Sequence, residues 1–344
     1  MKNLRKNRDI PDTFPVYVCM GKKHFRFTAV ILVILFLCSS CDAQAATGKD
    51  NSICIASWNV QNLFNARLDG NEYDEYKPAS GWNGEAYGKR LSNAARVLSY
   101  LPDSGAKIVV LNEVEGPDVV EDLLKTREMA GSGIRWYACT SSGQSAVQTA
   151  VISSLPIEHA NIHEVGDGLR PVLEVCVETD RGRLFILAVH FKSNLGGTDE
   201  TAEKRDESAQ VAAQVAKVIG TENPGAVVMV CGDMNEECWD GRIMGEDGPL
   251  PASGSFRRGK WYCFWMDGTG KIWPNGSYYY GGSWKCYDNI LVSQAGSDGT
   301  GLEYTGCGVV FEGIISNAGK KPASWDRRLL TGVSDHLPVW VTVK

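Results

Sequence analysis

The sequence predicts a layered domain of the α/β or α+β class, and three observations carry that prediction. Hydrophobic residues make up 43% of the 344-residue chain, enough for a substantial core, and no long low-complexity tract interrupts it. Short apolar, β-branched runs recur along the chain, and two amphipathic helical patterns lie between pairs of them. No self-similarity is present at the periods of solenoids or propellers, which excludes a repeat architecture.

The first 45 residues read as a targeting segment. "KKHFRFTAVILVILFLCSSCDAQA" runs from basic residues through a short apolar stretch, 29–37, to small residues. That stretch is too short to span a bilayer comfortably, so a signal peptide is the better reading, with Met20 a candidate start. "LCSSC", ending at Cys41, resembles a bacterial lipoprotein box, whereas "AQA" at 43–45 suits ordinary signal cleavage. Both readings put the mature protein outside the cytoplasm, as a cell-envelope lipoprotein or a secreted protein. A lipid on Cys41 is the only membrane contact implied, and no protein partner is inferred.

Residues 46–344 contain no linker and read as one domain. Strands are expected at 53–59, 107–113, 147–154, 171–179, 183–191, 226–233, 287–293 and 338–343. Leu91, Ala94, Ala95, Leu98 and Leu101 share one helical face between the first two strands. Ala202, Ala209, Ala213, Ala216 and Ile219 do the same between 191 and 226. Residues 255–287 are dense in aromatics, with Asp267-Gly268 and Asn275-Gly276 as turn signals, and look like an insert of one or two β-hairpins.

Composition narrows the chemistry. Without residues 1–41 the chain keeps 28 basic and 39 acidic residues, a net charge of −11, so bulk charge does not hold a polyanion. A phosphate substrate would need a local basic patch or a metal ion. Eight cysteines follow Cys41. Cys54, Cys176 and Cys231 lie in apolar runs and suit the core, while Cys238, Cys263, Cys286 and Cys307 lie in loop-rich sequence and are the better disulfide candidates.

Most of the strands end in polar groups. Asn59, Asn112-Glu113, His190, and Asp233 with Asn235 follow apolar runs, whereas Asp288 and Asp335-His336 precede them. In an antiparallel pair the end of one strand lies beside the start of the next, so all of these can share one sheet edge. Carboxylates there suit Mg²⁺, or Mn²⁺ or Ca²⁺, which prefer oxygen ligands. A carboxylate can deprotonate water for in-line attack on a phosphate ester, and an imidazolium can donate to the phosphoryl oxygen. The chain lacks H-E-x-x-H, G-x-S-x-G and a nucleotide-binding P-loop, which argues against zinc peptidase, serine hydrolase and NTPase chemistry. Read singly, Asp233 and Asn235 also suit a turn, His190 a core histidine, and Asp335-His336 a cap.

Six pieces in order, "SWNVQNLF", "LNEVE", "AVHFKSN", "GDMNE", "YDNILVS" and "SDHLPV", resemble the endonuclease/exonuclease/phosphatase superfamily, the metal-dependent phosphoesterases related to DNase I. "NVQNLF", "HFKSN" and "GSYYYGGSW" look most like its bacterial envelope or secreted branch. The resemblance covers 52–344 and implies a four-layer sandwich, two packed mixed β-sheets flanked by helices. It implies Glu113 as principal metal ligand, with Asn59, Asp335 and Gln61 completing the metal or phosphate shell. It implies Asp233 as the residue that orients or deprotonates water, with Asn235 beside it. His336, supported by Asp288, and His190 would contact the phosphate. Gln61 stands where close relatives often carry an acid, which brings a second metal position into question. Arg170 and Lys192 are candidates for a basic rim, and Arg257 for a substrate contact beside the aromatic insert. Lys204 and Arg205 read as a solvated helix start.

Three functions follow as expectations. The first is an extracytoplasmic Mg²⁺-dependent phosphodiesterase, a nuclease acting on nucleic acid. The second keeps the chemistry on a phosphomonoester, phospholipid or sugar phosphate, which the acidic balance favours. The third is a non-catalytic binding protein on the same fold, for which Gln61 is the only feature.

Overall fold

The computed structural model describes residues 17–20, 51–143, 145–239, 241–268 and 276–344. The apolar targeting stretch, Cys41, Trp273 and Asn275 lie outside the described residues.

The chain opens with β1 (Tyr17–Met20), β2 (Ile53–Leu63), α1 (Gly84–Leu98), β3 (Ala106–Val114) and α2 (Pro117–Leu124). It continues through β4 (Trp136–Cys139), β5 (Gln148–Ser153), β6 (Ile157–His163), β7 (Val172–Thr179), β8 (Gly182–His190), α3 (Thr198–Glu222) and β9 (Val227–Asp233). Then come β10 (Ala252–Ser253), β11 (Trp261–Cys263), β12 (Tyr278–Tyr280), β13 (Ser283–Lys285), β14 (Asp288–Val292), β15 (Tyr304–Val309) and β16 (Val339–Val343). The first sheet has the order β1-β4-β5-β3-β2-β16-β15 and the second β10-β11-β14-β9-β8-β7-β6. At the centre of each sheet lies a parallel pair, β2 with β3 and β8 with β9; a short parallel contact of β10 with β11 lies at the edge of the second sheet, and the remaining pairs that lead to the site are antiparallel. A helix makes each of the two central crossovers, α1 in the first sheet and α3 in the second.

The buried faces set the layers. β2 is buried from Ile53 to Val60 and β9 throughout, so both are covered on two sides and read as continuous apolar runs. The sheets face each other through residues such as Ile108, Val110, Ile186, Ala188, Met229, Cys231 and Ile290. α1 and α2 pack outside the first sheet. α3 covers the second, where Ala209, Ala212, Ala216 and Ile219 meet Phe185, Leu187, Val228 and Val230. The result is the four-layer sandwich. α1 starts cleanly because Asn83 accepts hydrogen bonds from the backbone N–H groups of Glu85 and Ala86 at its first turn.

Two expectations need correction, the solvated start of α3 and the disulfides. The start of α3 is not wholly solvated: Arg205 is fully buried, donating to Thr201 Oγ1 at 2.6 Å and the Thr198 carbonyl at 2.8 Å, with Glu236 at 3.4 Å. The ion pair and carbonyls replace the water it gives up. The aromatic insert, expected as one or two β-hairpins, forms one among the described residues, β12–β13, turned by Gly281 and Gly282 at φ of 58° and 88°, and its β11 also joins the second sheet at β14. The eight cysteines from Cys54 to Cys307 are all free of disulfides, and seven of them are buried, Cys238, Cys263 and Cys286 among them. A four-residue strand, β1, comes from within the expected targeting segment and pairs with β4.

Asn112 ties the two sheets together at the site. From β3 its Nδ2 donates to Thr149 Oγ1 and to the Val189 carbonyl, while its Oδ1 accepts from the Asp233 N–H at 3.0 Å. Replacing it by the near-isosteric leucine removes all three of these buried side-chain hydrogen bonds and leaves their partners short of one bond each. Urea unfolding of Asn112→Leu should show a loss of about 3 kcal/mol; a loss under about 0.5 kcal/mol would mean that the bridge contributes nothing.

Candidate active site

One rim of the sandwich collects the strand ends anticipated above. His190 and Asp288 both lie opposite Asp233, and Asn59 lies opposite Asn112, next to Glu113. β2 and β3 each break register here, after Asn59 and after Asn112, and the extra residues take left-handed backbone: Gln61 and Asn62 at φ 55°, Glu113 at φ 66°. Such bulges re-aim side chains, and strain of this kind persists where the surroundings hold it in place. Gly232 permits the same convergence on β9, because a Cβ there would lie 1.8 Å from the Val189 carbonyl oxygen.

The acidic centre is tightly bonded. Asn59 Nδ2 donates to Glu113 Oε1 and to Asp233 Oδ2, both at 3.0 Å. Glu113 Oε2 also accepts from the Asn62 N–H at 2.8 Å. Burial holds the Glu113 carboxyl above its ordinary value; Asn59 opposes this and the charge of Asp335 adds to it. Burial pushes Asp233 up to about 7, opposed by His336 and reinforced by Asp288. Asp233 also orders the turn after it, since its Oδ1 accepts from the Asn235 N–H at 3.0 Å. Asn235 then donates to the Phe191 carbonyl at 3.2 Å.

Two histidines flank these carboxylates in opposite charge states. His336 Nδ1 lies 2.7 Å from Asp288 Oδ2, and its Nε2 lies 3.9 Å from Asp233 Oδ2. Burial alone would lower this imidazole, but Asp288 and Asp233 reverse the effect and hold it well above its usual value. His190 Nε2 stands 3.9 Å from Glu113 Oε1 and 3.8 Å from Asp233 Oδ2. Its burial, with positive Arg170, His336 and Lys192 nearby, drives it well below the ordinary histidine value. Lys192 is itself lowered by burial and by the charges of Arg170, Lys204 and Arg205, so the basic rim is real and local.

Ten of the twelve sequence-predicted residues therefore converge; Gln61 and Arg257 take other places, and Asn59 takes another role. Asn59 is in the centre, but its Oδ1 accepts from the Gln61 N–H at 2.9 Å, so it orients Glu113 and Asp233 rather than offering an oxygen to a metal. Gln61 Oε1 accepts from the Trp325 N–H at 2.8 Å and clamps the 316–335 loop. Arg257 lies before β11, whose Tyr262 pairs with Val292, so it sits toward the end of β14 remote from Asp288; its Nε donates to Ser255 Oγ. The remaining donors fit a hard divalent cation: Glu113 and Asp335 offer carboxylate oxygens, and the burial of Glu113 together with the nearby charge of Asp335, which both raise the Glu113 carboxyl, is what a cation relieves. Asp233, Asp288 and His336 also approach within 4.8 Å of one another, but the short His336–Asp288 bond makes that trio an imidazole with its carboxylate support.

Sequence reasoning missed the support around these groups. Asn194 Nδ2 donates to the Asn235 carbonyl and to Tyr287 Oη, while its Oδ1 is buried without a protein partner. Tyr278 stacks on His336, ring centroids 4.6 Å apart. Arg90, on the buried face of α1, donates to the carbonyls of Val60, Gln61 and Val333. The "HFKSN" and "GSYYYGGSW" pieces contained Asn194 and Tyr278 and were the available signal; nothing in the α1 sequence singled out Arg90.

Comparison with known proteins bears on the fold and the family. No curated protein matches the chain in sequence. Among solved structures, D. rerio TDP2 complexed with a single-strand DNA product is 17% identical, with TM-score 0.56 over 86% of this chain and 100% of that one. An endonuclease/exonuclease/phosphatase family protein from Bacteroides thetaiotaomicron is 16% identical, with TM-score 0.53 over 86% and 98%. The human nocturnin catalytic domain with bound sulfate is 14% identical, with TM-score 0.51 over 86% and 95%. At these identities the likeness establishes the fold, which is that of DNase I-like proteins. The family model described as "Endonuclease/Exonuclease/phosphatase family" matches residues 54–344, and on that match the chain belongs to this family of metal-dependent hydrolases of phosphate esters.

Proposed function

We propose that this protein is an extracytoplasmic, Mg²⁺-dependent phosphodiesterase that cuts nucleic-acid strands by in-line attack of water. The observation that carries the reading is a groove of about 1050 Å³ running from Gln61 and Asn62, beside Glu113, between Tyr73–Tyr76 and 324–328. It is large for a lone phosphate or a lipid headgroup and suits a length of strand. Tyr73 offers a partly exposed ring face for a base, and Arg327 and Arg328 offer charge for the backbone, although Glu72, Asp74, Glu75 and Asp326 share the lining. The DNA product held by D. rerio TDP2 on the same fold supports this substrate class. The extracytoplasmic part rests on the pattern of residues 1–45, with Cys41 as a lipidation candidate.

Held by Glu113 and Asp335, the cation would neutralise the phosphate and stabilise the departing oxygen. Asp233, whose carboxyl is balanced near neutrality by burial, takes a proton from the attacking water. His336, kept protonated by Asp288 and Asp233, donates from Nε2 to a phosphoryl oxygen as charge develops. His190, kept neutral, offers its ring N–H, while Arg170 and Lys192 hold the ester from the rim.

A labelled single strand, a phosphomonoester and a phospholipid, each assayed with Mg²⁺, test the reading. Strand cleavage should stop in chelator and return with Mg²⁺ or Mn²⁺. Cleavage of the monoester or lipid alone would assign the acidic surface to that second substrate class. No turnover of any of the three with Mg²⁺, Mn²⁺ or Ca²⁺ would leave a binding protein.

A further inference from the structure

We propose that the outer edge of the second sheet carries a transition-metal site, with Cys176, His159 and Glu158 as ligands and Zn²⁺ as the ion their chemistry suits. It is separate from the catalytic cluster. His159, Cys176, Phe185 and Val228 form one row across the sheet, whereas His190 and Asp233 lie five residues further along β8 and β9, roughly 16 Å away.

A bulge builds the site. Between Ile157 and His159 the register of β6 shifts, so Glu158 and His159 together stand opposite Cys176. Regular alternation would send Glu158 and His159 to opposite faces; the extra residue re-aims one of them. One ligand atom from each of Glu158, His159 and Cys176 lies within 4.8 Å of the other two. Cys176 Sγ already points at Glu158 Oε2, donating at 3.5 Å, while Arg183 occupies the other oxygen of Glu158 at 2.6 Å.

The neighbours are those that a ligating imidazole needs. His159 Nε2 lies 3.3 Å from Glu174 Oε1, and a carboxylate on one ring nitrogen leaves the lone pair on the other. Glu174, itself nearly buried, is fixed in turn by His163 Nε2 at 2.7 Å and Asn161 Nδ2 at 3.1 Å. A cavity of about 620 Å³ between this ribbon and α3, lined by His159, His163 and Glu174, gives an ion a way in. One thiolate, one imidazole and one carboxylate, with water as a fourth ligand, make a tetrahedral set that favours Zn²⁺ over the hard ions suited to Glu113. On binding, the Cys176 S–H bond breaks, the Zn–S bond forms, and the proton leaves to solvent.

Co²⁺ is the spectroscopic probe, added to the full chain. The expected result is a near-ultraviolet thiolate-to-cobalt band that saturates with one thiolate-bound ion per chain and is retained in Asp233→Asn. The band should vanish in Cys176→Ser and fall strongly in His159→Ala. Glu174→Gln should weaken affinity by roughly 10- to 100-fold. Zn²⁺ should raise the melting temperature of the native chain and not that of Cys176→Ser, whose Mg²⁺-supported phosphoesterase rate stays unchanged. If Cys176→Ser does not fold, the partly exposed His159→Ala decides. Absence of the band at saturating Co²⁺, or its survival in both variants, overturns the proposal and leaves the two histidines as partners of Glu174 only.

Discussion

Asp233→Asn should lower turnover at least about 10²-fold while leaving a cooperatively folded protein, because it removes the one carboxylate placed to take the proton of water. The reason lies in what the substitution keeps. Asparagine has the same shape, its Oδ1 can still accept from the Asn235 N–H, and the backbone bond from the Asp233 N–H to Asn112 is untouched. It loses basicity, and its new amide group meets the Asn59 Nδ2 that formerly donated to Oδ2. That donor–donor contact costs on the order of 1 kcal/mol, partly offset by the removal of a buried carboxylate that burial already destabilises. A large loss of rate with little loss of stability is therefore the signature, read from single-turnover kinetics and a urea curve on the same preparation. His336→Ala should lose a similar factor by removing the donor to the phosphoryl oxygen. Rates within about threefold of the parent for both variants would take Asp233 and His336 out of the reaction.

The charged centre was legible because it is written at strand ends, and strand ends fall together once pairing directions are known. Asp288 and Asp233 are neighbours across an antiparallel pair, and His190 and Asp233 across a parallel one, so period-two patterns placed all three on one rim. What the sequence hid are elements without a hydrophobic signal. β6, "IEHANIH", is an edge strand whose side chains are half exposed, so it shows no apolar run. β15, "YTGCGV", carries two glycines and makes a strand only because β16 pairs with it. The direction of a polar side chain was hidden too. Asn59 and Gln61 sit where metal ligands belong, yet each gives its carbonyl oxygen to a backbone N–H, a choice set by the left-handed turn at 61–62 that no residue pattern announces.

Arg90 is the strongest case of a determinant visible only in three dimensions, and Arg90→Met should destabilise the protein by about 3–5 kcal/mol. The side chain is fully buried on the face of α1 that meets the core. Its guanidinium donates to the carbonyls of Val60, Gln61 and Val333, and its charge lies 5.2 Å from the ring centroid of Trp325. Burial lowers it to about 10, countered by Tyr76, Asp335 and Glu113, so it remains charged at neutral pH. One cation thus joins the turn after Asn59 to the loop that presents Asp335 and His336, two segments more than 270 residues apart. Methionine fills the volume but leaves three carbonyls without their donor. Lysine keeps the charge but presents a single ammonium where a planar fork is needed, and should recover only part of the loss. The melting temperature of Arg90→Met should fall on the order of 10 °C. The phosphoesterase rate should fall as well, measured well below that melting temperature, because the displaced turn and loop carry Asn59 and His336. A variant that melts within about 1 °C of the parent and keeps its rate would mean that the two segments are held by packing alone, with Ser334 Oγ on the Asn59 carbonyl and Trp58 Nε1 on the His336 carbonyl sufficient to fix them.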